Sequence, residues 1–347
     1  MTDVPVSAPF HDLESSSLAR FLNDALPGPH GRMRTERVLG GQSNPTFFVT
    51  LDEARYVLRT RPFEVLPSAH AIDREYRVLT ALRNSSVPTP EPYLYCDDRA
   101  VIGTPFYLME RFDGRVFHEF RTPGLNHEER AQSYRSMCAT LASIHKLDFR
   151  ALGLGDFGKP GNYFARQLNR WSSQWTQFRR GDDDNPDLDR IVRWLSERVP
   201  DSEAIALCHG DFRIANAIFH KSEPRVIGVL DWELSTLGHP LVDLAFNSQA
   251  WRMAPDENGG LLGLPLEEMG IPSERDYLGL YYKLSGAKER LTRFHQVFAM
   301  FRGAVGSAGV AARGDLGNSE LPDAARIGHQ LARAYAKRGV GLIEEAP

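Results

Sequence analysis

Cysteine is scarce in this chain, with three among 347 residues, at Cys96, Cys138 and Cys208. They are too few and too scattered for a disulfide framework, and none has a partner at zinc-site spacing. A hydrophobic run long enough to span a bilayer is missing, so no membrane partner is expected. The opening Met1-Thr-Asp-Val-Pro-Val-Ser carries neither the basic nor the apolar region of a secretory signal, and the expected location is cytoplasmic. Positive charge is not in excess either: a net charge of -4 and a pI near 6.3 argue against nucleic acid as a partner. No dinucleotide-binding glycine fingerprint occurs. The nearest match to a P-loop, Gly153 to Lys159, continues into Pro160 where a magnesium-binding hydroxyl would be needed. What remains is an ordinary globular composition, 42% hydrophobic and 25% charged, with length for two lobes and a small molecule as the expected partner.

Against that background one ordered set of polar residues stands out. His209-Gly-Asp211-Phe-Arg-Ile-Ala-Asn216 is followed, after a short apolar stretch, by Val229-Leu-Asp231-Trp-Glu233. Phosphoryl transfer needs this combination because charge spreads over the phosphoryl oxygens, and the protein's task is to position reactants and supply cations. Magnesium is a hard cation that takes oxygen ligands. Asp231 offers a carboxylate and Asn216 an amide oxygen, Glu233 is a further metal candidate, and Asp211 is left to orient an acceptor hydroxyl and receive its proton. His209 has two readings, as a brace of the loop or as a catalytic residue touching substrate. The apolar run Ala204 to Cys208 predicts a buried segment feeding the loop. Ala217-Ile-Phe219 and Val226-Ile-Gly-Val-Leu230 predict a hairpin turning at 221–224, which would bring Asn216 and Asp231 together.

With these motifs, the chain resembles the aminoglycoside phosphotransferase or choline-kinase-like family. Leu39-Gly-Gly-Gln-Ser-Asn-Pro-Thr, Arg74-Glu-Tyr-Arg-Val-Leu and Asp231-Trp-Glu-Leu-Ser-Thr-Leu-Gly-His-Pro-Leu-Val-Asp243 carry the resemblance, which runs from Val38 to about Arg313. It is similar above all to the subfamily found as the kinase-like half of acyl-CoA dehydrogenase fusion proteins. The resemblance implies an α+β, protein-kinase-like, two-lobed fold: an N-terminal lobe over 1–112, with an antiparallel sheet and a helix, and a mostly helical lobe over 113–347. It implies ATP, with GTP as the alternative, and Mg as cofactors.

The first lobe carries the nucleotide-binding candidates. A helix is predicted from Ser15 to Leu26, with Leu18, Phe21, Leu22 and Ala25 on one face, followed by a meander. Gly40, Gly41, Ser43 and Asn44 form a loop whose small residues let backbone N–H groups approach an anion. Kinases place a phosphate-contacting lysine on the following strand, paired with a helix glutamate. Here Arg59 takes that place and Glu75 is its predicted partner, with Arg61 a second candidate. Arginine keeps its charge but offers a different donor geometry. Thr104 to Gly114 reads as an edge strand running into a linker, where the resemblance places an adenine-binding hinge near Glu110 and Phe112.

In the second lobe Asn126 and Glu129 predict a capping pair before a long amphipathic helix ending at His145. The histidine is expected to pack or cap there. Trp171, Trp175 and Trp194 are expected in core or pocket wall. The acceptor is read from charge: Lys283, Lys288, Arg290, Arg293, Arg302 and Arg313 face a single acid, Glu289. That bias suits an anionic acceptor such as a hydroxyacyl group on coenzyme A, with Arg302 and Arg313 as substrate residues; it equally suits a solvent-facing basic surface. Alternative functions are a nucleotide-binding pseudokinase with a regulatory role, motivated by Arg59, and an aminoglycoside phosphotransferase, which would need an acidic cleft.

Overall fold

Leu18 and Leu22, a helical turn apart and fully buried, form the inner stripe of α1 (Ser16–Ala25). The computed structural model describes residues 16–27, 31–38, 44–61, 72–159, 161–180, 185–202, 204–317 and 322–345. Its contacts divide the chain into Met1–Arg83 with Pro90–Phe112 and Asn84–Thr89 with Asp113–Pro347.

In the first unit, β1 (Met33–Arg37), β2 (Thr46–Leu51) and β3 (Ala54–Thr60) form the meander, with Asp52 at positive φ in the tight turn between β2 and β3. Helix α2 (Ile72–Leu82), β4 (Pro92–Cys96), the short α3 (Arg99–Ile102) and β5 (Phe106–Glu110) follow. The antiparallel sheet has the order β1-β2-β3-β5-β4. Strand β2 alternates as a half-buried strand should, and its Phe47, Val49 and Leu51 share a core with Leu18, Leu22, Leu58, Phe106 and Leu108. Each such side chain contributes about 1.5–3 kcal/mol by leaving water.

The segment expected at the sheet edge is instead interior, since β5 pairs with β3 on one side and β4 on the other. Its Phe106-Tyr-Leu-Met109 run is buried throughout, as a strand covered on both faces requires. Strand β4 takes the edge, with Pro92 and a register irregularity between Pro92 and Leu94, both tolerated there.

The second unit begins with β6 (Gly114–Val116) and α4 (His127–His145). The predicted Asn126–Glu129 capping box is present: the Glu129 N–H donates to Asn126 Oδ1 at 3.0 Å and the Asn126 N–H donates to Glu129 Oε2 at 2.9 Å. Then come α5 (Tyr163–Phe178), α6 (Pro186–Ser196), β7 (Ala206–Cys208), β8 (Ala217–His220), β9 (Val226–Val229) and β10 (Thr236–Gly238). Helices α7 (Leu241–Ser248), α8 (Leu266–Met269), α9 (Glu274–Ser285), α10 (Arg293–Asp315) and α11 (Ala324–Glu344) complete it.

Helices α5, α6, α10 and α11 share one core, in which Phe298, Phe301 and Val305 of α10 meet Leu168, Ile191 and Tyr335. There are two small sheets, β6-β8-β9 and β10-β7, and Cys208 of β7 joins that bundle core. Among the described residues no helix is long and apolar enough to cross a membrane.

Candidate active site

The apolar run before His209 forms β7, buried at all three positions and paired with β10. The chain then turns through Gly210 at φ 86°, where a Cβ would lie 2.4 Å from the Leu234 carbonyl oxygen. Only glycine meets both demands. The loop is clamped by Asp243 of α7, which is fully buried: the His209 N–H donates to its Oδ2 at 2.6 Å and the Gly210 N–H to its Oδ1 at 2.9 Å. Behind the carboxylate, His145 Nε2 lies 3.4 Å from Oδ2, and His145 Nδ1 is 2.6 Å from the Tyr281 hydroxyl. From α10, Arg302 Nη2 donates to the Gly210 carbonyl at 2.5 Å. Burial pushes the Asp243 carboxyl upward, but the His145 hydrogen bond, the neighbouring His145 and His209 rings and the Gly210 N–H outweigh it and hold the group below the ordinary range.

Of the two readings of His209, the geometry is that of a brace. The residue is fully buried, its Nε2 is 2.9 Å from the Leu230 carbonyl, and its Nδ1 accepts the Asp211 N–H at 3.2 Å. Both ring nitrogens are therefore engaged within the protein, and the first links the loop to the residue preceding Asp231.

The hairpin of β8 and β9 is present, with Ala217 opposite Val229 and the Leu230 N–H donating to the Asn216 carbonyl at 2.8 Å. Asn216 and Asp231 thus leave from the same end of one ladder. The Asn216 amide donates through Nδ2 to Asp211 Oδ2 at 2.8 Å and to the Asp211 carbonyl at 2.9 Å. That orientation turns Oδ1, a hard oxygen ligand, away from Asp211. Asp231 sits in the left-handed region at φ 67° and ψ 59°, an uncommon and strained place for a non-glycine residue. Burial raises the Asp211 carboxyl; Arg213, His209 and Asn216 oppose the shift, and the Asp231 charge adds to it. The donor set of Asp231 and Asn216, two oxygens beside a carboxylate of raised pKa, fits a magnesium ion.

In the first unit the predicted ion pair forms, with Arg59 Nη1 at 2.6 Å from Glu75 Oε1 and both side chains buried. The face of α2 holding Glu75 also buries Ile72, Val78, Leu79 and Leu82. Asn44, two residues before β2, is buried. Gly40, Gly41 and Ser43 lie outside the described residues. The Glu110 carboxylate accepts the Glu91 N–H at 3.2 Å, which ties it to the neighbouring chain segment, and Phe112 is half-buried.

The basic residues expected at the acceptor are not one group. Lys283, Lys288 and Arg290 are exposed, as a solvent-facing surface would have them. Arg313, expected in a pocket among small residues, is exposed, with Glu233 as its charged neighbour. Arg302 alone of those six is buried. Among the described residues, His145, Cys208 and Asp243 form a compact cluster of metal-capable groups. The hydrogen bonds above and that from Cys208 Sγ to the His239 carbonyl already occupy them. Sequence reasoning missed the clamp formed by Asp243, His145 and Tyr281; its one signal was an acid embedded in the apolar Leu241-Val-Asp-Leu-Ala245 run.

Replacing Asp243 with Asn should destabilise the protein by about 1–3 kcal/mol, because an amide offers one acceptor where two loop N–H groups need acceptors. Since the folded carboxyl lies below the ordinary value, its stabilising contribution is present above about pH 4 and is lost as pH falls through the folded value. Urea unfolding of wild type and Asp243→Asn across acid pH should therefore show a gap that narrows on acidification. A gap independent of pH would contradict the assignment.

Comparison with known proteins agrees with this geometry. The family model described as "Phosphotransferase enzyme family" matches residues 34–265. Human acyl-CoA dehydrogenase family member 11 is 38% identical over 98% of this chain and 44% of its own length, and the rat protein is 40% identical over 91% and 41%. The Arabidopsis thaliana probable acyl-CoA dehydrogenase IBR3 is 36% identical over 96% of this chain and 43% of its own. The chain thus spans less than half the length of these relatives. A crystal structure from Ralstonia eutropha, provisionally assigned as an aminoglycoside phosphotransferase, superposes with a TM-score of 0.84 at 38% identity, covering 95% of this chain and 98% of the other. The aminoglycoside phosphotransferase APH(4)-Ia, in a ternary complex with AMP-PNP and hygromycin B, shares the fold at a TM-score of 0.61 and 15% identity, covering 94% and 100%. With a family model matched over most of its length and the catalytic loop and hairpin of a kinase-like fold, the chain belongs to the phosphotransferase enzyme family, as a small-molecule kinase-type enzyme.

Proposed function

We propose that this protein transfers the γ-phosphoryl group of ATP to a hydroxyl of a small acceptor of the hydroxyacyl-CoA type. The observation that carries this reading is the Asn216 amide, which gives both its donors to Asp211 and so keeps an oxygen for a cation beside Asp231. A binding module has no use for a carboxylate of raised pKa held at that place, which argues for an enzyme over a pseudokinase. The acyl-CoA part rests on the relatives, named as acyl-CoA dehydrogenases, which this chain matches over part of their length.

In this reading Asp211 accepts the proton of the acceptor hydroxyl as the new O–P bond forms and the bond to the β-phosphate oxygen breaks, releasing ADP. Burial and the neighbouring Asp231 make Asp211 a stronger base than an ordinary aspartate. Magnesium held by Asn216 and Asp231, with Glu233 nearby, would neutralise the phosphate oxygens. His209 keeps the loop and the Asp231 segment in register through Leu230. Arg59, oriented by Glu75, is the candidate for the ATP phosphates, together with the loop holding Gly40, Gly41, Ser43 and Asn44. Adenine is assigned to the chain near Glu110 and Phe112.

The first test is thermal stability with ATP or GTP, with and without magnesium. Magnesium-dependent stabilisation by one nucleotide is expected; no shift with either would overturn the phosphotransferase reading. Asp231→Asn should remove the magnesium dependence, and an unchanged magnesium titration would sink its assignment as ligand. Asp211→Asn should lower turnover by about two to four orders of magnitude with ATP affinity retained; collapse of ATP binding would place Asp211 among the metal ligands instead. Because the Asp211 carboxyl is raised, activity in kcat/KM should fall on the acid side at a pH above the ordinary aspartate value of about 4. A limb at or below that value would contradict its role as base.

A further inference from the structure

Arg302 has a job in the loop and donors left over. It is 6% exposed, and one nitrogen, Nη2, supports the Gly210 carbonyl. Its Nε and Nη1 are buried with no hydrogen-bond partner among the described residues, and no carboxylate of those residues lies within ion-pair distance. The guanidinium carbon is 5.1 Å from the Phe246 ring and 5.5 Å from the Trp171 ring. The Trp171 indole Nε1 is a second buried donor without an acceptor. Buried donors left unpaired are costly, and an unpaired buried cation is more so. The arrangement is therefore suited to receiving oxygen acceptors from outside the chain.

Open space lies one turn further along the same helix. Gly306, one turn beyond Arg302 on the same face of α10, is exposed, and no atom lies within 4 Å of where its Cβ would be. The carbonyl that Arg302 holds belongs to the residue next to Asp211. A molecule whose oxygen meets the free edge of Arg302 is thereby indexed to the base by a single peptide. The flat guanidinium fork matches a planar acyl group, and the walls of Phe246 and Trp171 match a short hydrocarbon chain.

We propose that Arg302 and Trp171 form an acyl-oxygen subsite, which binds the carboxylate or thioester carbonyl of the acceptor while Asp211 faces its hydroxyl. This deepens the phosphotransferase reading above and rests on it for the role of Asp211, but not for the binding itself. The acceptor class is then a molecule with a hydroxyl and an acyl oxygen on one short chain. Arg302 is a positioning residue for the loop and a specificity residue for the acceptor.

Binding to the full chain, measured by calorimetry without nucleotide, separates the two ideas. The probes are β-hydroxybutyrate, β-hydroxybutyryl-CoA, coenzyme A alone, and the diol in which the acid is reduced to an alcohol. The acid or the thioester, the latter beyond coenzyme A alone, should bind roughly tenfold or more tightly than the diol, the scale of one hydrogen bond to a charged group. Which of the two binds identifies the source of the acyl oxygen. Trp171→Phe keeps the ring and removes the N–H, so it should weaken that binding several-fold while leaving stabilisation by magnesium and ATP unchanged. A diol that binds as well as both acyl compounds would overturn the subsite, as would a Trp171→Phe protein of unaltered affinity. The comparison of acid with diol needs no variant and stands even if Trp171→Phe folds poorly. Failure of phosphoryl transfer with these probes despite the predicted binding would count against the kinase reading alone.

Discussion

A single buried carboxylate organises the second unit's chemistry. Asp243 accepts the N–H groups of His209 and Gly210 on its two oxygens, and those two peptides immediately precede Asp211. A loop residue cannot hold a catalytic geometry by its own packing, because loop backbone has few neighbours and many conformations. Here the constraint comes from α7, with His145 of α4 and Tyr281 of α9 behind it, so three elements fix one turn. The positive φ of Gly210 and the carbonyl contact from Arg302 follow from the same clamp, since the turn must present both N–H groups to α7 and its carbonyl to α10.

The second constraint is electrostatic. Burial and the Asp231 charge raise the Asp211 carboxyl, and Asp231 is held in a strained left-handed conformation. Both features work against stability in the protein alone. Asn216 makes this compatible with a defined structure, because its amide hydrogens bond to Asp211 while its own side chain adds no charge. An aspartate at this position would raise the repulsion, and an apolar residue would leave Asp211 unsupported.

How much was legible in the sequence differs by kind of feature. The hairpin that brings Asn216 to Asp231, the capping box of α4 and the Arg59–Glu75 pair were readable because each depends on residues close in sequence or on one motif spacing. Strand β5 was misplaced at the edge because edge or interior is decided by whether another strand pairs beyond it, and β4, with its Pro92, reads weakly as a strand. The clamp around Asp243 joins residues far apart in sequence, His145, His209 and Tyr281, whose only local sign is polarity inside apolar runs. The basic residues after Lys283 looked like one patch when counted along the chain; folding exposes most of that set and buries Arg302, since only Arg302 shares the inward face of α10 with Phe298 and Val305.

Arginine at position 59 is consistent with the same economy of charge. The pair with Glu75 is buried, and a lysine placed there would be pushed by burial toward its neutral form, whereas guanidinium keeps its proton across any physiological pH. The pair is buried in the first unit, and removing either partner should be destabilising. In the second unit Asp211 is shifted upward and Asp243 downward by their surroundings. Two aspartates in one loop system are thus shifted in opposite directions: Asp243 stays charged to lower pH and holds the backbone, whereas Asp211 is made easier to protonate.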